Sequence, residues 1–232
     1  MENLPRRAFF KAFAQRVSES GSGRPLVLMG PKRVGKTVMM RQTIDHLLGQ
    51  GAPPGEITYL TLASPVFSNV PLAKLFQGDG EGRHYLFLDG LEYRPGWQGE
   101  VAGLAAANPR LRVVAAAAAV AVAGDEHRAV TSLLLPPLTF AEYLEFSGRE
   151  RGFGLDPAGR EPLPEHVVGH LNEAFIGYLN HGGFPHGAMA DASIEPGEII
   201  SSALLNDLPG LHGIGDSIEL NRLFTALALN SG

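Results

Sequence analysis

The chain has 232 residues, of which 44% are hydrophobic, and a formal net charge of −5 at pH 7. This length allows one sizeable hydrophobic core, or one core with a small appendage. The acidic balance does not indicate non-specific binding to nucleic-acid or membrane phosphates, and the absence of cysteine excludes disulfides and thiolate metal ligands. The N-terminal stretch lacks the apolar core of a signal peptide, and the most apolar run, residues 111–124, is too short to span a membrane. We therefore expect a cytoplasmic protein with no membrane partner.

The N-terminal region combines an apolar helical pattern with several basic residues. The spacing of the apolar side chains predicts an amphipathic helix at 9–17. A solvated helix face explains the early basic cluster of Arg6, Arg7, Lys11 and Arg16. The fragment therefore gives no support for a nucleic-acid partner.

Short apolar runs predict five strands. Residues 111–123 are ambiguous because alanine is the best helix former, but the alternation of strands and helices favours a strand to about residue 117. Five strands joined by helices or long crossovers predict an α/β fold, with a parallel five-stranded sheet and helices on both faces. The predicted strands are 24–30, 56–62, 84–89, 111–117 and 131–138, and the predicted helices among them are 37–48, 70–77, 99–107 and 139–146, the last capped by Thr139 and Glu142.

The composition changes to Gly, Pro and charged residues at about residue 148, which indicates a linker. Beyond it the apolar spacing predicts helices at 165–180, 195–206 and 217–229, with HGGFPHG forming a turn in which Phe184 is anchored in the core. The expected organisation is an N-terminal helix at 1–20, a P-loop domain at 21–147, a linker at 148–164, and a helical segment at 165–232 that forms a lid or the start of a truncated C-terminal domain.

The sequence GPKRVGKT, residues 30–37, carries the clearest chemical signal. It matches the pattern G-x-x-x-x-G-K-[ST] and lies between a predicted strand and a predicted helix, which is the context of a phosphate-binding loop. Gly30 and Gly35 allow backbone N–H groups to point at phosphate oxygens. Lys36 is expected to reach the β- and γ-phosphates as the catalytic lysine, and Thr37 to ligate Mg²⁺. The predicted ATP contacts are Gly30, Pro31, Lys32, Arg33, Val34, Gly35, Lys36, Thr37 and Val38.

An acid at the end of another buried strand completes such a site. Asp89 ends the apolar run HYLFLD, on the third predicted strand counted from the phosphate loop. The strands of the loop and of Asp89 are expected to flank an inserted strand, the one at 111–117. An acid in this place often only caps a helix, but its pairing with the loop predicts that Asp89 holds Mg²⁺ together with Thr37.

The groups needed for hydrolysis are missing from the expected places. A carboxylate next to the metal-binding acid usually polarises the attacking water, but Gly90 follows Asp89. A polar side chain at the end of the inserted strand usually helps, but no Ser, Thr or Asn lies between Val113 and Ala123. These losses predict slow or absent hydrolysis. Glu92 is expected to be a solvated loop acid, with a substitute general base as the alternative.

Four segments occur together in the order GPKRVGKT, YLFLDGLEY followed by Trp97, LLLPPLTFAEYL, and YLNHGGFP. This set resembles the bacterial and archaeal AAA-domain ATPases of the AAA family fourteen type, whose members carry a second, C-terminal domain. The resemblance covers nearly the whole chain from about Arg24. It implies ATP binding at Gly30, Gly35, Lys36 and Thr37, and Mg²⁺ binding at Asp89. Trp97 is expected to pack against the sheet and not to stack on a base.

The chain also departs from the pattern of the family it resembles. The family usually has Asp-Glu where this chain has Asp89 and Gly90, and Thr-Gly-Ser-Ser-like residues where this chain has alanines. Arg128 resembles the arginine that precedes the PPL strand in the family, which implies contact with phosphate or a neighbouring subunit; an exposed surface arginine is the alternative. Family members run past the point where this chain stops, so we expect a truncated sequence.

Three functions fit these patterns. The first is a Mg-ATP-binding switch with weak or absent hydrolysis, whose ATP or ADP state controls contact with a protein partner or another copy of the chain. The second is an active ATPase or small-molecule kinase that uses Glu92 or a base from another subunit. The third is an interaction scaffold that binds no nucleotide, against which the intact phosphate loop argues.

Overall fold

Five short strands form a parallel sheet. The limits of the first four lie within two residues of the predicted ones, whereas the fifth ends at Leu134, four residues before its predicted end. The computed structural model describes residues 4–19, 23–68, 70–76, 82–94, 96–118, 129–149, 164–181, 183–189, 214 and 216–230. The strands are β1 (Leu26–Gly30), β2 (Ile57–Thr61), β3 (His84–Asp89), β4 (Leu111–Ala118) and β5 (Thr131–Leu134).

Helices connect the strands and follow the sheet. The described helices are α1 (Phe10–Ser18), α2 (Lys36–Gly49), α3 (Pro65–Ser68), α4 (Leu72–Leu75), α5 (Trp97–Ala107), α6 (Phe140–Phe146), α7 (Glu165–His181), α8 (Pro185–Met189) and α9 (Ser217–Asn230), with single 3₁₀ turns at Pro54–Glu56 and Leu91–Tyr93. No helix in these described ranges is long and apolar enough to cross a membrane.

The strand order is β2-β3-β4-β1-β5, and all neighbouring strands are parallel. β4 is therefore inserted between the strand of the phosphate loop and the strand of Asp89, as predicted. Met29 of β1 pairs with Ala117 and Asp89 of β3 pairs with Ala116, so β4 is bonded along both edges. This two-sided pairing outweighs the helix propensity of its alanines.

Successive side chains of the central strands point to opposite sides of the sheet, and helices cover both sides. The sheet is therefore buried on both faces. One face packs against α5, where Trp97 is 3% exposed, as expected from the sequence. The other face packs against α1 and α2. The first core includes Val27, Leu86, Leu88, Trp97, Val101, Leu104, Val113 and Ala115, and the second includes Phe13, Val17, Leu28, Met39, Met40, Phe87, Val114 and Ala116.

The predictions for the helical segment have mixed outcomes. α7 and α9 have nearly the predicted limits, but the turn predicted over HGGFPHG is wrong in part, because Pro185–Met189 forms helix α8. Proline is well suited to the first position of a helix, where its missing N–H has no intrahelical partner. Phe184 is only partly buried, and Ala188 is the buried residue of this segment. The predicted helix at 195–206 and most of the predicted linker, 150–163, lie outside the described residues.

Helix α6 begins with the predicted capping box. The Thr139 hydroxyl accepts a hydrogen bond from the Glu142 N–H at 3.2 Å, and the Glu142 carboxylate accepts one from the Thr139 N–H at 3.0 Å. The same carboxylate forms an ion pair with Arg7 at 2.7 Å. Arg7 is only 5% exposed, so its assignment to a solvated helix face is wrong.

Glu142 is an acid whose ionised form is stabilised by the fold. Burial by itself would raise its pKa, but hydrogen bonds from Arg7 and from the backbone of Thr139 and Ala8, together with the Arg7 charge, outweigh burial and lower the pKa to about 2 from 4.5. A lowered pKa means that ionised Glu142 stabilises the folded state above about pH 4.5, and that this stabilisation is lost as the pH falls towards 2.

We expect the Glu142→Gln variant to be less stable than the wild type near pH 7, by an amount on the order of 3 kcal/mol. The difference should shrink as the pH is lowered from 4.5 towards 2, which urea unfolding at a series of pH values would measure. Glu219→Gln is the control, because Glu219 pairs with Arg222 in an exposed ion pair and its loss should cost no more than about 0.5 kcal/mol. A pH-independent difference for Glu142→Gln would contradict the prediction.

Candidate nucleotide-binding site

The phosphate loop leaves β1 at Gly30 and enters α2 at Gly35. A Cβ atom at Gly30 would lie 2.4 Å from the carbonyl oxygen of Leu135, so the backbone that follows β5 leaves space only for glycine. Gly35 has a φ of +101°, in the left-handed region that glycine adopts without steric cost. Because α2 begins at the next residue, its N–H groups and the positive end of its dipole face the loop.

The Lys36 side chain folds over this loop. Its ammonium group donates hydrogen bonds to the carbonyls of Gly30 and Pro31, each at 2.7 Å, and the residue is 9% exposed. The positive charge is therefore held above the same backbone whose N–H groups are the predicted phosphate ligands. A phosphate in the loop would lie next to a cation that is already in place.

The predicted loop contacts are not equivalent. The Val34 side chain is fully buried in the core beside α2, so only its peptide groups remain for a ligand. Arg33 has a φ of +64°, which is unusual for a residue with a Cβ atom. Arg33 itself is exposed and lines the cleft described below.

The structure brings Thr37 and Asp89 together. The Thr37 hydroxyl donates a hydrogen bond to Oδ2 of Asp89 at 2.7 Å. A hydroxyl oxygen beside a carboxylate oxygen is a hard donor set that suits Mg²⁺, which usually takes one or two protein ligands and completes its shell with phosphate oxygens and water. The residues therefore fit the predicted metal, whose binding stays a prediction.

Tyr59 is a third member of this group that the sequence analysis missed. Its phenol, on β2, donates a hydrogen bond to the same Oδ2 atom of Asp89 at 2.8 Å. Burial raises the pKa of Tyr59 and the hydrogen bond to Asp89 raises it further, to about 12, although Arg41 acts in the opposite direction. The phenol therefore keeps its proton at neutral pH and holds the carboxylate in one orientation.

The residue after Asp89 has the backbone conformation of a turn. Gly90 has a φ of +86°, and a Cβ atom there would lie 3.1 Å from the ring of Tyr93. The Tyr93 ring therefore covers the position at which a water-activating carboxylate is expected. Lys32 contacts the same ring, with its Nζ atom 5.6 Å from the ring centroid. This part of the cleft is built around an aromatic ring and has no acid at position 90.

Glu92 is held against the sheet, and its expected role as a solvated loop acid is wrong. It is partly buried, and its Oε2 atom accepts a hydrogen bond from the N–H of Ala118 at 3.1 Å. Ala118 is the last residue of β4, the strand whose end lacks a polar side chain. The carboxylate therefore occupies the region where that polar side chain is expected to act. Arg128 lies outside the described residues.

A cleft of about 840 Å³ joins these groups. The phosphate loop and the ends of the strands line one part of it, and α8 and Leu4 of the N-terminal segment line another. Helix α8 approaches the loop at Gly35, where a Cβ atom would lie 3.6 Å from Cγ of Pro185. A smaller, mostly apolar recess beside it is lined by residues that include Leu4, Val38, Phe146, Pro185 and Met189. The sequence analysis did not predict the contribution of α8, because HGGFPHG has the composition of a turn. The lining residues include Lys32, Lys36, Thr37, Asp89, Glu92, Tyr93, Pro185, His186 and Met189.

Comparison with known proteins finds one family model, described as "AAA domain", that matches residues 22–144. An uncharacterized protein of Haemophilus influenzae is 26% identical over 220 residues, an alignment that covers 89% of this chain and 51% of that protein. The chain thus spans about half the length of this curated relative.

Among solved structures, PCH-2 of C. elegans is similar with a TM-score of 0.47 and 12% identity, over 94% of this chain and 67% of that chain. AMPPCP-bound DnaA of Aquifex aeolicus is similar with a TM-score of 0.44 and 12% identity, over 86% of this chain and 61% of that chain.

We expect Gly30→Ala to lower the free energy of unfolding by about 2 kcal/mol, because the new methyl group forces the loop away from Leu135. Gly103→Ala is the matched control, since Gly103 is exposed inside α5 and a Cβ atom there meets no neighbour within 4 Å. In that helix the change should raise stability by about 0.5–1 kcal/mol. Denaturant unfolding measures both; equal stability of Gly30→Ala and wild type would show that the loop is not confined there.

Proposed function

Because the chain belongs to the AAA-domain family, we propose that it binds Mg-ATP in the cleft over the phosphate loop and acts as a nucleotide-dependent switch with slow hydrolysis. The observation that carries the proposal is the placement of Lys36 over the loop while Thr37 contacts Asp89. An AAA domain with this loop supports nucleotide binding, and the choice of ATP and of Mg²⁺ belongs to the proposal.

Each part of the site has a distinct role in binding. The backbone N–H groups at the start of α2 bind phosphate oxygens, and the glycines at 30 and 35 allow the backbone to approach them. Lys36 exchanges its carbonyl partners for β- and γ-phosphate oxygens. Thr37 and Asp89 hold Mg²⁺, which when bound offsets the negative charge of the phosphates. Tyr59 keeps the Asp89 carboxylate oriented towards Thr37.

Slow hydrolysis follows from what surrounds Asp89. General base catalysis requires an acceptor within hydrogen-bond reach of the attacking water. Gly90 supplies none, and the Tyr93 ring lies over it. The end of β4 presents alanines, and the carboxylate of Glu92, which lines the same cleft, is engaged with the Ala118 N–H. Nucleotide is therefore bound more effectively than it is turned over.

The switch operates through the wall of the cleft formed by α8. This helix belongs to the segment at 165–232, and its residues Pro185, His186 and Met189 line the same cleft as the phosphate loop. A nucleotide that contacts both walls favours the arrangement in which they are close, which is a population shift. We propose that this arrangement controls contact with a protein partner, either a further domain or a second copy of the chain.

An active ATPase is the second candidate, and one observation favours it. Glu92 lines the same cleft as Lys36 and Asp89. Its carboxylate is oriented by the hydrogen bond from Ala118, and orientation by a second group is typical of a general base. In this candidate Glu92, from the turn after β3, replaces the carboxylate that is absent at Gly90.

We expect Mg-ATP to raise the melting temperature of the wild type, by an amount that corresponds to about 2.7 kcal/mol at a concentration 100 times Kd. Lys36→Ala should lose this increase because the main cationic phosphate ligand is gone. Lys74→Ala, a change of an exposed lysine on α4, should keep it. The assignment fails if the melting temperature of Lys36→Ala still rises with Mg-ATP as that of the wild type does.

We further expect ATP to remain intact for hours in protein that is loaded with Mg-ATP and freed of excess nucleotide. The bound nucleotide is extracted at intervals and identified by chromatography, with Lys36→Ala as the control that retains none. Accumulation of ADP would refute slow hydrolysis. If Glu92→Gln then restored persistent ATP, the active ATPase would be the correct function.

A further inference from the structure

Arg7 connects the N-terminal segment to the back of the phosphate loop. Its guanidinium group donates to both carboxylate oxygens of Glu142, at 2.7 and 3.2 Å. It also donates to the carbonyl of Val34 at 2.9 Å. Two further contacts reach the carbonyls of Pro136 at 2.9 Å and Pro137 at 3.3 Å, in the segment between β5 and α6. A single buried side chain thus contacts the N-terminal face of α6 and the phosphate loop.

The ion pair accounts for the burial of the charge but not for the contact with the loop. A buried cation is costly unless an anion and hydrogen bonds compensate it, and Glu142 provides this compensation with further hydrogen bonds from the Ala8 and Thr139 N–H groups. Charge balance would be equally complete if Arg7 touched Glu142 alone. The bond to the Val34 carbonyl is therefore a separate contribution.

The Val34 carbonyl belongs to the peptide that carries the Gly35 N–H. In a trans peptide the C=O and N–H groups point in opposite directions. Arg7 holds the carbonyl, so the Gly35 N–H is turned away from Arg7. Gly35 lines the cleft of the proposed nucleotide site. Backbone N–H groups at this point of a phosphate loop typically donate hydrogen bonds to phosphate oxygens.

This peptide has little intrinsic reason to stay in one orientation. It joins Val34 to Gly35, and the residues on either side of Val34 have positive φ angles, +64° at Arg33 and +101° at Gly35. The first is a conformation that costs a residue with a Cβ atom about 1–2 kcal/mol, and the second is a residue with wide backbone freedom. A hydrogen bond from a buried guanidinium with no freedom of its own can fix the peptide plane.

We infer that Arg7 is a positioning residue of the nucleotide site, which acts through the Val34 carbonyl to set the Gly35 N–H for a phosphate group. The inference rests on the proposed binding of nucleotide. It assigns to Arg7 a role that is separable from its ion pair, so variants that change the two contacts independently test it.

The test uses three variants of the whole chain. Glu142→Gln removes the negative charge but keeps the bond from Arg7 to Val34. Arg7→Met with Glu142→Leu removes both charges together, so no unpaired charge is left buried, and it also removes the Val34 contact. Arg7→Lys keeps the charge without the planar fork that spans carboxylate and carbonyl.

Two quantities are measured for each variant: the melting temperature without nucleotide, and Kd for Mg-ATP and Mg-ADP by calorimetry. Glu142→Gln should melt at a lower temperature and keep Kd within about twofold of wild type, because the loop contact remains. The double variant and Arg7→Lys should each raise Kd for the two nucleotides about tenfold, which is the effect of losing one well-placed hydrogen-bond donor. Hydrogen exchange of residues 30–37 in the free protein should also become faster in the Arg7 variants.

The outcomes separate this inference from the proposed function. If the wild type binds nucleotide and a folded Arg7 variant binds it with unchanged Kd, the inference is overturned and the proposed function stands. The inference is also overturned if Glu142→Gln raises Kd as much as Arg7→Lys, because the ion pair then carries the effect. If the double variant does not fold, the inference is tested by comparing Kd for Arg7→Lys with Kd for Glu142→Gln. A wild type that binds neither nucleotide overturns both proposals.

Discussion

The parallel direction of the strands is the constraint on which the proposed site depends. It brings the ends of β1, β3 and β4 to one edge of the sheet, with β4 between the other two. Two strand spacings of about 4.8 Å each therefore separate the phosphate loop from Asp89. The Thr37 hydroxyl closes this gap from the first turn of α2, and Tyr59 holds Asp89 from the next strand on the far side. The same geometry leaves the end of β4 between the phosphate loop and Asp89.

The two halves of the site differ in how they are built. The half around Lys36 consists of glycines, backbone groups and the basic side chains of the loop, and the Lys36 ammonium group is held by two carbonyls that a phosphate could replace. The half expected to activate water has a left-handed glycine at position 90, an aromatic ring over it, and a strand end without polar side chains. The carboxylate of Glu92 enters this second half from outside the sheet and binds a backbone group. Binding and hydrolysis of a nucleotide would therefore depend on different groups of the proposed site.

The sequence predicted the features that depend on neighbouring residues. Local patterns of apolar spacing, glycine and polar side chains predicted the five strands, the phosphate loop and the capping box of α6. The alternation of strands with helices predicted that the strands are parallel. Two side chains whose roles it failed to predict, Tyr59 and Arg7, depend on partners distant in the chain. Tyr59 has the pattern of an ordinary strand residue, and only the pairing of β2 with β3 brings it to Asp89. Arg7 has the pattern of a solvated basic residue, and its partner Glu142 lies 135 positions away.

The conformation of Gly90 restricts how this site can change. Its φ of +86° lies in a region that glutamate rarely adopts, and the Tyr93 ring is in contact range of any side chain placed there. A glutamate at position 90 would therefore be strained in its backbone and would need the half-exposed Tyr93 ring to shift by a few tenths of an ångström. A water-activating acid at position 90 is thus opposed by the backbone conformation more than by a lack of space.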